Sequence, residues 1–162
     1  MRRRGPTVRL DNDTSYPTRE IRTLVMRELR ALDVADWIHV KVSWSKDGYT
    51  RGRARDYWYP ESGEDRPVIL VKLPRPDRKI DDYVPYDRKR EGGRTFPLAD
   101  WREALVAVTA HEAEHHRQWR LGDRRHRRGS GSRRVDVELR CDLAAFRAWR
   151  IHRDRYGTEV AA

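Results

Sequence analysis

The sequence predicts an α+β domain: an N-terminal helix, a small, mostly antiparallel β-sheet of about three strands, and two long helices towards the C-terminus. Three observations carry this. Apolar residues recur at helical spacing within residues 18–33, 97–121 and 135–156. WIHVKVSW, 37–44, alternates apolar and polar residues. PVILVKL, 67–73, is a short unbroken apolar run, the pattern of a strand covered on both faces. At 162 residues the chain has the length of one domain, enough to bury a core without cross-links.

Residues 1–17 read as a flexible tail ending at Pro17, and 18–157 as the single domain. Thr18 is the expected cap of the first helix, whose stripe is Ile21, Leu24, Val25, Glu28, Leu29 and Leu32. In the strand at 37–44, Ile38, Val40, Val42 and Trp44 share one face and His39, Lys41 and Ser43 the other. Lys46-Asp47-Gly48 reads as a hairpin turn leading to a return strand at 49–59. That strand carries Arg51, Arg53 and Arg55 on one face, with Gly52 and Ala54 on the other, where something can pack closely. Residues 74–97 hold Pro and Gly throughout and no period, so they read as a long functional loop. The next helix runs from near Pro97 to about Leu121, with Gly122 as its stop. Residues 122–134 are expected to be a mobile basic loop, 135–156 the last helix, and 158–162 a C-terminal tail.

Composition narrows the function classes. Charged residues make up 38% of the chain and hydrophobic residues 37%, with 6 Trp and 7 Tyr. That describes a compact domain with a heavily charged surface. The net charge of +10 favours acidic partners, nucleic acid among them, although most of the cations are Arg and a genome's base composition alone yields such a bias. The single cysteine, Cys141, excludes an intrachain disulfide. No apolar run is long enough to span a bilayer, and MRRRGPTVRLDNDTS lacks the apolar stretch of a signal peptide. The expectation is a cytoplasmic protein with no membrane partner.

The stretch with most chemical content is TAHEAEHHRQW, 109–119. On a helix, His111 and His115 lie one turn apart on one face and can offer two imidazole nitrogens to one tetrahedral zinc ion. Glu112 is rotated by about 100° from His111. Its carboxylate therefore sits beside the metal, where it can take a proton from a zinc-bound water. The two histidines share a stripe with Leu105, Val108 and Trp119, so they face the core. The plainer alternative is a pair of hydrogen-bonded core histidines. A third ligand is required. Glu138 and Asp142 are again four apart, on a stripe with Ala145 and Trp149. Buried carboxylates are rare unless paired or bound to metal. The economical reading makes Glu138 the third ligand, with Asp142 hydrogen-bonded to a liganding histidine and setting its tautomer. Salt bridges to nearby Arg are the alternative. His116 points about 100° away from His115 and reads as a neighbouring or surface group. Glu114 reads as solvent-facing, and Cys141 as a small buried hydrophobe. Tyr83 and Tyr86 can reach over the cleft as part of a lid, or be ordinary loop tyrosines. His152 and Tyr156 lie roughly 20 Å up the last helix from Glu138, too far to serve the same centre.

HEAEH followed by Glu138 and Asp142 on a later helix resembles the gluzincin zinc metallopeptidases, which use HExxH plus a downstream Glu, often with an Asp four residues on. The order of motifs is similar to that of the minimal gluzincins and the ImmA/IrrE-type peptidases. Arg140 and Cys141 depart from the latter's E-x-E-A-N/D-x-x-A pattern. The specific similarity covers about 98–149, while the N-terminal half matches in layout alone. The resemblance implies a zincin-like fold, Zn2+ held by His111, His115 and Glu138 with water as fourth ligand, and Glu112 as general base and proton shuttle. It also implies a protein or peptide substrate added as a strand to the sheet edge above the active helix. Two other readings stand beside it. One is a nucleic-acid-binding protein on a zincin scaffold, with or without protease activity, using the Arg51/Arg53/Arg55 face and the basic loop. SprT-type zincins act on DNA-bound proteins but normally use a third histidine. The other reading is a metal that only braces the fold.

Overall fold

The computed structural model describes residues 7–34, 37–85, 95–120 and 132–157. In chain order the elements are β1 (Thr7–Asp13), α1 (Thr18–Ala31), β2 (Trp37–Trp44), β3 (Arg51–Tyr59), β4 (Glu64–Leu73), α2 (Trp101–Arg120) and α3 (Ser132–Tyr156). The class is α+β, as expected. The sheet differs from expectation: it has four strands in the order β1-β2-β4-β3, and two of its pairings, β1 with β2 and β2 with β4, are parallel.

The added strand lies in the segment expected to be a loose tail. TVRLDND pairs with β2 from Thr7↔Trp37 to Asp13↔Ser43. It is a half-covered edge strand in which Val8 and Leu10 pack against the core. Parallel strands need a long crossover, and α1 supplies the one between β1 and β2. The helix begins differently than expected. Pro17 occupies the N-cap position without a side-chain cap, and Thr18 is the first helical residue. Asn12 organises this corner, its amide donating to Tyr16 O at 2.9 Å and to Thr18 Oγ1 at 3.0 Å.

The expected hairpin between β2 and β3 does not form. The turn exists, with Gly48 at φ 84 and Asp47 Oδ1 accepting from Ser45 Oγ and the Tyr49 N–H. It carries β3 past the neighbouring position, which β4 fills. The apolar run of β4 belongs in the interior of the sheet, where both of its edges are hydrogen-bonded, to β2 and to β3. β3, with its row of arginines, takes the edge. β3 and β4 form the true hairpin, from Arg51↔Lys72 to Tyr59↔Glu64, and Gly63 at φ 65 closes its turn.

The core lies between one face of the sheet and the helices. Ile38, Val40, Val42, Ile69, Val71 and Leu73 meet Leu105, Val108 and Ala104 of α2 and Ile21 and Val25 of α1. Each fully buried aliphatic side chain contributes about 1.5–3 kcal/mol relative to exposure. α2 is buried nearly all round, because it touches β3, β4, α1 and α3. Its first turn is set by Asp100, whose Oδ1 accepts the N–H groups of Arg102 (2.9 Å) and Glu103 (3.0 Å). The helix thus starts at Trp101, later than the expected position near Pro97. α3 begins at Ser132, so 132–134 belong to it, while Gly122 and the rest of the expected basic loop to 131 lie outside the described residues. The expected tail 158–162 lies outside them too. No described helix is long and apolar enough to cross a membrane.

Candidate metal centre

Two helices facing each other build the site. Glu103, buried near the start of α2, accepts from Trp149 Nε1 at 3.0 Å and from Arg153 Nε at 3.1 Å. These bonds fix the rotation of α3 against α2. Glu138 and Asp142 then face His111 and His115, with Ala145 fully buried on the same stripe.

The geometry at the centre is tight. His111 Nε2 and His115 Nε2 lie 3.2 Å apart. Glu138 Oε2 lies 3.4 Å from the first and 3.6 Å from the second. A tetrahedral ion with zinc-like bond lengths of about 2.0–2.2 Å has ligands spaced by roughly 3.3–3.6 Å along each edge. The three atoms thus match one face of such a tetrahedron. Ligand atoms of His111, His115 and Cys141 also lie within 4.8 Å of one another, so this group could hold a metal ion. Cys141 is fully buried, as expected, and accepts a 3.6 Å contact from Gln118 Nε2. Burial, then the charges of Glu138, Glu114, Glu112 and Asp142, push its thiol far up, so it resists becoming the thiolate that binds metal. Glu138 is the better-placed third donor.

The charges point the same way. Burial penalises the Glu138 carboxylate, but the hydrogen bonds and charges of His111 and His115 outweigh it and hold the group well below the usual carboxylate range. Burial also works against a charged His111, yet Asp142, Glu138 and Glu112 raise it to about 9. Glu112, Glu138 and Asp142 thus surround two imidazoles in a largely buried space, a donor set whose excess negative charge suits a divalent cation.

Glu112 lies on the sheet side of the two histidines. A Cβ built on Gly52 of β3 would stand 2.6 Å from Glu112 Cγ and from Val108 Cγ1. The glycine is therefore what lets the carboxylate lie under the edge strand, the close packing expected for that face of β3. Burial raises the pKa of Glu112, opposed by His111, His115 and a backbone hydrogen bond from Ala54.

Tyr83 is the residue that sequence reasoning underrated. It is no ordinary loop tyrosine: its hydroxyl lies 2.7 Å from His111 Nδ1 and donates to Asp142 Oδ1 at 2.7 Å. Asp142 Oδ1 is itself 3.2 Å from His111 Nδ1. One proton order satisfies all three: Nδ1–H donates to the phenol oxygen, and the phenol donates to the carboxylate. This leaves Nε2 with a free lone pair facing Glu138 and His115. The loop is held there by a two-way backbone bridge between Tyr83 and Phe96 and by stacking of the two rings, with centroids 4.5 Å apart. Burial and the Asp142 charge raise the Tyr83 hydroxyl well above its ordinary pKa. Tyr86 lies outside the described residues.

Two further expectations are corrected or refined. Glu114 is not solvent-facing. It is 4% exposed, held by two 2.6 Å bonds from Arg117 and one of 3.1 Å from Gln118. His116 is buried rather than at the surface, and Nε2 lies 3.1 Å from the Val68 carbonyl oxygen. His152 pairs with Arg27 at 3.1 Å, away from the centre.

The cluster opens into a cleft of ≈ 1110 Å³. Its walls are Tyr49 and Thr50 with the first residues of β3, Arg51 and Gly52, the segment from Lys79 to Val84, and the two helices. β3 carries no further strand on its outer side among the described residues, so its edge runs along this cleft. No family model, no curated protein and no solved structure matches the chain.

Proposed function

We propose that the chain is a zinc-dependent peptidase of the zincin type, with His111, His115 and Glu138 as protein ligands. The observation that carries this reading is the 3.2, 3.4 and 3.6 Å triangle of their donor atoms, open on one side to the cleft. The order of elements, with the HExxH helix packed against the sheet and the acidic ligand on the following helix, supports the resemblance to gluzincins.

Zinc held there supplies Lewis acidity, which lowers the pKa of water and polarises a substrate carbonyl. The chain's own residues do the rest. Glu112 is the group that takes a proton from the attacking water and returns it to the departing amine nitrogen. A carboxyl raised by burial is suited to that exchange near neutral pH. Asp142 and the Tyr83 hydroxyl hold His111 in one tautomer and one orientation. With its proton committed to Asp142, Tyr83 is a positioning residue and not an oxyanion donor. The edge of β3, bordering the cleft, offers its outward peptide groups to an extended substrate backbone.

The test is cleavage of an unfolded protein such as reduced casein by the zinc-loaded wild type and by Glu112→Gln, with zinc content measured on both. The expected result is zinc retained and cleavage lost in the variant. Equal cleavage by both overturns the peptidase reading. An effect of the protein in cells that survives Glu112→Gln supports a bracing metal instead.

A further inference from the structure

α1 and α2 lie against one face of the sheet, α3 packs on α2, and among the described residues no element packs on the other face. Strand register says what that open face carries. One row across it reads Arg51, Lys72, Ser43, Asp13 and the next Arg53, Leu70, Lys41, Asp11. Arg55 heads the third row, beside Val68, His39 and Arg9. Arg51, Arg53, Lys72 and Lys41 are exposed. Asp11 and Asp13 lie on β1 at the far edge, where Asp11 is engaged by His39 at 2.7 Å and by Arg9 at 3.8 Å; Glu64 of β4 lies 3.7 Å from Arg66, and Asp47, in the turn before β3, pairs with Arg51. Towards the other end, Arg66 lies 4.6 Å over the ring of Trp37, which packs edge-on to Tyr59.

We infer that this open face binds single-stranded nucleic acid, with the β3 arginines, Lys72 and Lys41 on the phosphates and Leu70 and the Arg66–Trp37 pair beneath the bases. Alternate residues of a strand advance by about 6.6–6.8 Å, a step that a sugar-phosphate chain can follow phosphate by phosphate. A four-stranded face with cations around Leu70 and an aromatic pair at one end suits splayed bases, which stack on guanidinium planes as well as on rings. The stacked edges of a duplex offer nothing to Leu70. An acidic polypeptide has the charge but no planar group for the Arg66–Trp37 end. A second copy of this chain, at net charge +10, is repelled.

The experiment is fluorescence anisotropy with a labelled twenty-nucleotide oligothymidylate, titrated with the full chain over a range of salt concentrations. The comparison is between the triple variant Lys41→Gln/Arg53→Gln/Lys72→Gln and a charge-matched triple on α3, Arg140→Gln/Arg147→Gln/Arg150→Gln. Loss of three phosphate contacts makes the slope of log Kobs against log salt shallower by about 2 for a single strand. The expected result is that change, with at least tenfold weaker binding at low salt, in the sheet variant alone. Arg53→Gln by itself shows about a third of the slope change and keeps the test open should the triple variant melt early. Equal losses in the two triples overturn the inference, as does absence of binding by the wild type. Tighter binding of a duplex of the same length, or of polyglutamate, also overturns it.

Discussion

The two faces of the sheet are made of the same strands and have opposite chemistry. Towards the helices, β2 and β4 present Val40, Val42, Ile69 and Val71 and β3 presents Gly52 and Ala54, and the result is an apolar interface with a cluster of carboxylates and imidazoles at its margin. Away from the helices, the alternate residues of the same strands are Lys41, Leu70, Lys72, Arg51, Arg53 and Arg55. Strand β3 shows the contrast within a few residues: Gly52 touches Glu112, and Arg51 and Arg53 on either side point outward. Because the period of a strand is two, one segment can serve a chemical centre with one set of residues and a charged surface with the other. Changes on one face should therefore leave the other intact.

The largest effect is expected at Glu112. Loss of a general base removes about 10²–10⁴ in rate, so Glu112→Gln is expected to abolish measurable proteolysis while zinc content and oligonucleotide binding stay at wild-type level. Parallel assays of all three quantities check it. If binding of the oligonucleotide falls along with cleavage, the faces are not separate.

Tyr83→Phe keeps the ring that stacks on Phe96 and removes only the hydroxyl. Groups that orient a metal-bound histidine are typically worth 10–100-fold in metal affinity, and a loss in that range is expected in a zinc competition titration. The far-ultraviolet circular dichroism should be unchanged. Unaltered affinity would remove Tyr83 from the site.

Gly52→Ala is expected to cost about 1–3 kcal/mol by overpacking, seen as a lower melting temperature, and to slow cleavage by displacing Glu112. A variant that cleaves normally would mean that Glu112 can move away from β3 without losing its function. The charge removal on the open face is the mildest of the four: it should change salt-dependent oligonucleotide binding, with zinc content and casein cleavage both preserved.

Much of this arrangement was legible in the sequence. The helices were visible because Ile21, Leu24, Val25 and Leu29 in α1, Leu105 and Val108 in α2, and Glu138, Asp142, Ala145 and Trp149 in α3 recur at helical spacing. β2 and β4 were visible through alternation and through an unbroken apolar run. The hairpin expected after β2 does not form, because strand order is decided by which strand has the longer apolar run to place in the sheet interior, and that competition is not local. β1 was missed since a half-covered edge strand needs only Val8 and Leu10, too weak a pattern to outweigh its charged and polar neighbours. At the centre, the expectation that His111, His115, Glu138 and Asp142 come together is met in their positions. Helical spacing of four marked both pairs. Tyr83 left no such mark: it sits in a stretch without period, and its partners lie 28 and 59 positions away. The burial of Glu114 was hidden for a related reason, since Arg117 and Gln118 neutralise and cover it in a way that charge alone does not announce.

The central claim is the three-ligand centre, and zinc per chain tests it most directly. Untagged wild-type protein and Glu138→Ala would be incubated with zinc, desalted and analysed by elemental mass spectrometry. The account predicts about one zinc per wild-type chain, the occupancy of a single tetrahedral site, and a large loss in the variant. A wild-type chain that holds no zinc after loading would contradict it, as would a Glu138→Ala variant that holds as much as the wild type.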